Sequence, residues 1–422
     1  MKLTGAYRDV LRRPLFRRYF AGEGISSVGD AMSEVTIVVL ALELGTGSNR
    51  AMAVALASAA YLLPGIVTGA AVGRRLGAVS PRTLLIIDNA WRGGCLGLAA
   101  VLTTTDAIGL GGYVALLALA SLTRPLGAGG SRTIVVDLVD EDDLFAANSL
   151  VNTIVQAAVM LGPAVAGVLA AVIGPGPVLA IDATTFLLFV AALLSIPAAT
   201  IPPREVADSR VGSAALPAAR RWRWAGWLGS YRTVAGLFLL TGIFHALYGP
   251  FVVSLPLLVQ ERAGALAPAA ALGLLWSAFG VGAVLGGLAG GSRASLASPR
   301  SAALIVAGWG AATVAVGLPA HLAVAGAAMF AGGAVYGPYI AIVSTVMQQH
   351  LPPHRLAEAS AYYHSVTGVV GPLGTLAGGV VVAGLGPSPS LFAAGGLLIG
   401  FGLAAAARLG TASTPATPGV PA

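Results

Sequence analysis

Lysine occurs once, at Lys2, and cysteine once, at Cys95. A single cysteine excludes an internal disulfide, and no Cys/His cluster has metal-ligand spacing. Charged residues of both signs make up only 10% of the 422 residues. A soluble domain of this length needs a charged, solvated exterior, which this composition does not supply. The chain also lacks a phosphate-binding GxxxxGK[ST] loop and a nucleophile elbow, so nothing in it points to an ATPase or another enzyme.

What it has is hydrophobicity: 56% apolar residues and a mean hydropathy of +0.84. Apolar runs of about 20 residues repeat along nearly the whole sequence, the length that crosses a bilayer as a helix. Glycine (57) and proline (25) are abundant, and both are better tolerated in membrane helices than in soluble ones. The expected fold class is an all-α membrane protein. Its twelve spans fall near 19–43, 51–73, 83–104, 108–131, 147–172, 177–199, 233–259, 268–291, 301–318, 322–347, 358–384 and 389–408. The first apolar stretch follows a basic segment, but it carries Glu23, Asp30 and Glu34 and no small-residue cleavage site. It reads as a retained first helix.

Arginine placement sets the orientation. With a cytoplasmic N-terminus, the outer side receives only Arg50 and Arg262, Arg92 and Arg124 fall inside helices, and the rest lie inside the cell. The net charge of +7 is therefore a topology and headgroup signal, not a nucleic-acid footprint. This predicts a multi-pass protein of the bacterial inner membrane, monomeric, with both termini cytoplasmic. Residues 1–200 form one six-helix bundle, 201–230 a cytoplasmic linker, 231–410 a second bundle and 411–422 a disordered tail. Trp222, Trp224 and Trp227, interleaved with Arg220, Arg221 and Arg223, suit a linker segment lying on the inner leaflet.

The halves echo each other. Gly162-Pro163 in the fifth span matches Gly371-Pro372 in the eleventh, each pair placed for close packing and a kink. Polar loops, DEDDLFAANS and PPHRLAEASA, precede them. Such repetition marks a transporter whose two bundles rock about a site between them.

Six plus six helices, a central linker and this repeat resemble the major facilitator superfamily. The stretches RRYFAGEGISSVGDAMSEVTIVVLALELGTGS, LLIIDNAWRGG, DEDDLFAANSLVNTIVQ, LGPAVAGVLA and AIDATTFLL are similar to its bacterial drug, macrolide and siderophore efflux branch. The superfamily's loop between helices 2 and 3 usually reads G-x-x-x-D-R-x-G-R-R. Here it is GAAVGRRLGAVSPR, with Gly73 where the gating acid is expected, followed by Arg74 and Arg75. The fourth-helix antiporter motif is echoed in RPLGAGG, which keeps Arg124 but not the glutamine. The resemblance implies proton-coupled transport.

A charge at the bilayer centre costs about 3 kcal/mol or more, so intramembrane acids need a partner, a proton or a wet cavity. Glu23, Asp30 and Glu34 are spaced to lie within a sector of roughly 40° on one helix face. In the resembled fold this helix lines the central cavity, so the stripe is a candidate for proton coupling or attraction of a cation. The plainer reading has Asp30 bonded to neighbouring backbone, and Glu23 or Glu34 paired with an arginine near a span end. Arg124 suits a counter-ion for a first-helix acid or an anionic substrate group; a permanent structural pair is the alternative. Asp88 and Arg92, one helical turn apart, read as an intrahelical pair. Asp182 reads as a capping or interfacial acid. The acidic run Asp140, Glu141, Asp142 and Asp143 is either solvated or a gate partner for Arg74, Arg75 and Arg82. His245 and Tyr248, Tyr336 and Tyr339, and Tyr362, Tyr363 and His364 are candidates for a polar-aromatic cavity wall.

The expected function is proton-coupled export of a small hydrophobic or cationic compound by alternating access, an antiporter of the multidrug-resistance type. The driving force is the proton gradient, with no cofactor and no metal; one charge falling through 100 mV supplies about 2.3 kcal/mol. The alternatives are a lipid or siderophore exporter and a transporter-derived sensor or scaffold without flux.

Overall fold

A computed structural model describes residues 2–72, 79–201, 230–264, 266–291, 297–319 and 321–409. Gly73, Arg74, Arg75, the Trp/Arg-rich part of the linker and the 411–422 tail lie outside the described residues. Among those described there is no strand, and twelve helices are long and apolar enough to span a membrane. They are α1 (Pro14–Leu44), α2 (Arg50–Gly69), α3 (Pro81–Thr104), α4 (Leu110–Leu138), α5 (Glu141–Ile173) and α6 (Pro175–Leu194) in the first half. The second half holds α7 (Arg232–Arg262), α8 (Pro268–Gly290), α9 (Pro299–Gly317), α10 (Leu322–His350), α11 (Tyr362–Leu385) and α12 (Pro387–Arg408). The protein is an all-α, multi-pass membrane protein.

Local chemistry repeats between the halves. The Ser80 side chain accepts from the Thr83 amide to cap α3, with Pro81 in the first turn. Ser298, Ser301 and Pro299 do the same for α9. The junction from α5 to α6 turns on Gly174 (φ 86°, ψ 159°) before Pro175, and that from α11 to α12 on Gly386 (φ 85°, ψ 166°) before Pro387. That backbone region belongs almost wholly to glycine.

Packing follows the same repeat. In the first half α1 packs on α5 and α6, and α3 on α6; in the second, α7 packs on α11 and α12, and α9 on α12. Between halves, α5 meets α8 and the first part of α2 meets α11. A Cβ added at Gly167 of α5 would lie 2.5 Å from the Ala269 carbonyl and 2.9 Å from the Gly273 Cα of α8, so only glycine permits this approach.

The interface between halves closes at the end opposite the termini. Leu42, Ala51, Val54, Ala55, Val253 and Val382 form a buried cluster there. Arg50 donates to Gln260 Oε1 across the two halves at 3.4 Å. A cavity of about 340 Å³ lies at the rim of this seal, between Arg50 and Ala51 of the first half and Leu257, Gln260 and Val382 of the second. The seam also opens toward the termini-side end. Asn152, Thr153, Gln156, Ala157 and Met160 of α5 face Val284 of α8 across a cavity of about 390 Å³.

A helix precedes α1, Lys2–Arg12, with Val10 buried and Arg8, Asp9 and Arg12 exposed. Arg13 then reaches the loop before α5, donating to Asp140 and, at 2.6 Å, to Asp143. Its guanidinium holds the exposed Asp140 carboxyl below the usual carboxylate range. The gate partners weighed for the acidic run, beside a solvated reading, are Arg82 and, outside the described residues, Arg74 and Arg75. Arg82 instead donates to the Leu193 carbonyl at 2.8 Å, and Arg18 to that of Ser195 at 2.7 Å. Cations there satisfy the orphan carbonyls at the C-terminal end of α6 and oppose its dipole.

Candidate functional site: a charge cluster beside the cleft

Most of α1 is buried, and its open positions are ordered. Glu23, Ser27 and Asp30 are partly exposed and Glu34 is exposed, while Gly24, Ser26, Gly29, Ala31, Met32 and Ser33 are buried. The expected acidic stripe thus lies on an open face of a mostly buried helix, with Ala21 and Ile25 exposed on other faces. Beyond Glu34, the run Val35–Ile37 and Val39–Leu42 is buried, where the two halves seal.

Three spans break in mid-course, each at a proline that cannot donate to the helix ladder. In α2 the regular helix ends at Ala60, capped by Tyr61, before Pro64. In α4 it ends at Ser121 and restarts at Arg124-Pro125. In α10 it ends at Tyr336 and restarts at Tyr339 after Pro338. The Leu122 carbonyl freed in α4 accepts from Thr68 of α2 at 2.7 Å. Polar and charged side chains gather at these breaks, as they do at the discontinuous helices of transporters.

Asp30 meets Arg92 of α3 there. One guanidinium nitrogen donates to Asp30 Oδ2 at 3.1 Å and the other to Oδ1, a bidentate pair. The Tyr61 hydroxyl donates to Asp30 Oδ1 at 3.1 Å and accepts from Arg92 at 2.7 Å. The Asp30 side chain keeps 35% of its exposure and that of Arg92 6%, so the carboxylate forms the open edge of a sunken pair. Arg92 also packs 4.3 Å from the centre of the Phe186 ring of α6.

Arg92, read from spacing as the partner of Asp88, therefore belongs first to Asp30. Its distance to Asp88 Oδ2 is 3.8 Å. Arg124, weighed as counter-ion to a first-helix acid or as half of a structural pair, lies over the Tyr61 ring at 4.7 Å, within electrostatic reach of Asp30 and Glu34. Its buried NH1 has no hydrogen-bond partner among the described residues. A cation in the first turn of a helix stands at the wrong end of the dipole, and the acids around it compensate. A Cβ at Gly127, one turn on, would collide with the Asp88 carboxylate.

The remaining acids divide. Glu23 forms no ion pair with an arginine among the described residues and accepts from Ser131 of α4 at 3.4 Å. Glu34 has no hydrogen bond to a described residue, but it lies within electrostatic reach of Arg124 in α4 and Tyr248 in α7. It thus faces both halves. Asp182, read as a capping or interfacial acid, is fully buried. It accepts from Ser33 of α1, and a Cβ at Gly29 would strike both it and Thr185. Tyr61 and Ser33 were not singled out from sequence; Pro64, three residues past Tyr61, is the signal that could have found the break in that span.

The second half offers a different wall. Among the described residues its spans carry Asp, Glu, Lys and Arg only near their ends. Tyr248 stacks on Phe251 at 5.5 Å, and Tyr336 on Phe244 at 5.5 Å; both tyrosines are half-buried. His245 donates from Nδ1 to the Thr241 carbonyl at 2.8 Å, which leaves Nε2 as an acceptor. Tyr339, expected in the wall, is fully buried and bonds Thr241 at 2.8 Å, so it supports the wall from behind.

Pro163 and Pro372 lie inside α5 and α11. A Cβ at Gly162 would lie 3.0 Å from Ala31 backbone, directly beside Asp30. Gly371 differs from expectation, since its nearest neighbour would be His245 Cδ2 at 3.9 Å. Close packing of α11 falls instead to Gly374, whose Cβ would lie 2.5 Å from the Ala246 carbonyl.

A sequence profile of the Major Facilitator Superfamily matches residues 19–375. The chain belongs to that superfamily, and is a transporter rather than an enzyme. No curated protein matches it in sequence. Solved structures share its fold. A bacterial homologue of the human lysosomal transporter Spinster, inward-facing and unoccupied, has 11% identity and a TM-score of 0.67, covering 96% of this chain and 98% of that one. The peptide transporter POT in complex with sulfate has 14% identity and a TM-score of 0.70, over 94% and 95%. A bacterial homologue of the iron transporter ferroportin in an inward-facing state has 15% identity and a TM-score of 0.67, over 93% and 99%.

Proposed function

We propose that the protein is a secondary transporter that exports a small hydrophobic or cationic compound in exchange for protons. The observation that carries this reading is Asp30, half open to the cleft yet locked on Arg92 and Tyr61. A proton on Asp30 removes the charge that holds Arg92 and so loosens α1 from α3. Glu34 supplies a second carboxylate at the level of the aromatic wall, suited to a positive group on a molecule whose apolar part rests on Tyr248 and Tyr336. Burial of such a molecule away from water supplies binding energy without a dedicated set of hydrogen bonds.

In this reading the arginine-rich termini face the cytoplasm of a bacterial inner membrane, and the cleft opens inward. The chain acts as a monomer and uses the proton gradient without a cofactor. The resemblance of stretches in α1, α3, α5 and α6 to the drug, macrolide and siderophore exporters supports this reading. A second reading rests on the unpartnered NH1 of Arg124. It makes the cargo an anionic headgroup, as in a lipid or siderophore, with His245 as a further contact.

Reconstituted liposomes test both. Efflux of a hydrophobic cation is expected to rise with an imposed pH gradient, and Asp30→Asn is expected to remove that dependence. Unchanged gradient-driven flux in Asp30→Asn would end the coupling role of Asp30. Flux of anionic amphiphiles alone, lost in Arg124→Gln, would select the second reading.

A further inference from the structure

Asp182 sits behind the Asp30–Arg92 pair with no exposed surface. Its oxygens meet the Ser33 hydroxyl of α1 and, at 3.4 Å, the Thr185 hydroxyl of its own helix. Among the described residues no cationic side chain lies within ion-pair distance of it. The charged and titratable groups that reach it are Asp30 from α1, Tyr61 from α2 and Arg92 from α3. The acids of α5 are confined to its first turn.

Three carboxylates and two guanidiniums therefore share one low-dielectric cluster: Asp30, Asp88 and Asp182 with Arg92 and Arg124. An ion taken out of water without a counter-ion costs several kcal/mol, and a neutral acid avoids that cost. The fully buried acid with no cation at ion-pair distance is the one that a proton neutralises. Asp30 has both oxygens on Arg92, and Asp88 has Arg92 at 3.8 Å and Thr123 beside it. Asp182 has hydroxyl groups alone.

We infer that Asp182 carries the cluster's proton in this conformation and is the second carboxyl to which Arg92 turns when Asp30 is neutralised. The guanidinium already rests on Phe186, one helical turn from Asp182 on α6. The exchange balances: Asp30 takes up one proton, Asp182 releases one, and Arg92 stays charged throughout. Because Asp182 bonds Ser33 on the helix that bears Asp30, the exchange also changes how α1 is fastened to α6. The exchange rests on the coupling role proposed for Asp30, whereas the protonation of Asp182 does not.

Infrared difference spectroscopy on the purified full-length protein in lipid nanodiscs separates the two at neutral pH. The wild-type spectrum is expected to contain a protonated-carboxyl C=O band that is lost in Asp182→Asn. The same band is expected to be lost in Asp30→Asn, which mimics a neutral Asp30 and hands Arg92 to an ionised Asp182. It is expected to shift in Ser33→Ala, which removes one hydrogen bond but no titratable group. A wild-type spectrum without a band assignable to Asp182 overturns the inference, as does one that Ser33→Ala leaves in place. A band kept in Asp30→Asn leaves Asp182 a neutral structural acid and overturns the exchange. If Asp182→Asn does not fold, the Ser33→Ala and Asp30→Asn spectra decide. A protein with the expected bands but no gradient-driven flux keeps its protonated Asp182 and loses the exporter reading.

Discussion

The Tyr61 hydroxyl shows how closely this site is tied together. It gives its proton to Asp30 and takes one from Arg92, while its ring carries the Arg124 guanidinium. Tyr61→Phe keeps the ring and strands one donor and one acceptor in a sunken pair. Such a loss costs about 1–3 kcal/mol, and thermal unfolding of the purified protein is expected to show it. A melting temperature equal to wild type would mean that water replaces the hydroxyl and that the bridge is dispensable. The acidic stripe itself was legible in the sequence, because the spacing of Glu23, Asp30 and Glu34 fixes a common face whatever surrounds the helix. The partner of Asp30 was not. Asp88 and Arg92 satisfy the intrahelical spacing rule, and no one-dimensional pattern ranks a neighbour four residues away against one on another helix. Asp182 was misplaced for a related reason. It stands eight residues into α6, close enough to the span's start to pass for a cap and deep enough to be sealed.

At the level of elements, hydropathy located all twelve spans because burial in lipid is an averaged property of about 20 residues. Averaging also hid the breaks in α2, α4 and α10, since a single proline barely moves a window mean. The Gly-Pro pairs at Gly162 and Gly371 were visible, yet only Gly162 sits in tight contact with its neighbour. The repeat with the firmer backbone requirement is at Gly174 and Gly386. Alanine at either position is expected to cost about 1–3 kcal/mol, because its backbone angles exclude a side chain. Gly94→Ala is the control. Its Cβ would meet nothing within 4 Å in mid-helix, so alanine is expected to be neutral or slightly stabilising. Equal melting temperatures for Gly174→Ala, Gly386→Ala and Gly94→Ala would contradict the assignment.

Across the whole molecule, one end of the interface between halves is sealed by apolar side chains and the other is parted. A cysteine introduced at Asn152 or Gln156, in a Cys95→Ala background, is expected to react with a membrane-impermeant thiol reagent applied from the termini side. One at Val54 or Val253 is expected to stay unreactive from either side, both being fully buried. Equal labelling at all four positions would rule out the one-sided opening. Substrate that drives the molecule to its opposite conformation is expected to invert the pattern.

The two halves differ more in chemistry than in shape. Titrating groups crowd the mid-membrane part of the first, while the second keeps its Asp, Glu, Lys and Arg near the span ends and shows aromatic rings and one imidazole. In the proposed reading, changes to cargo preference and changes to the energy source therefore fall on separate stretches of chain. Replacing a ring other than Tyr248, which Glu34 reaches, leaves the electrostatics of the first undisturbed, so in the proposed reading new cargoes are within reach of single substitutions that spare the first half's carboxylates.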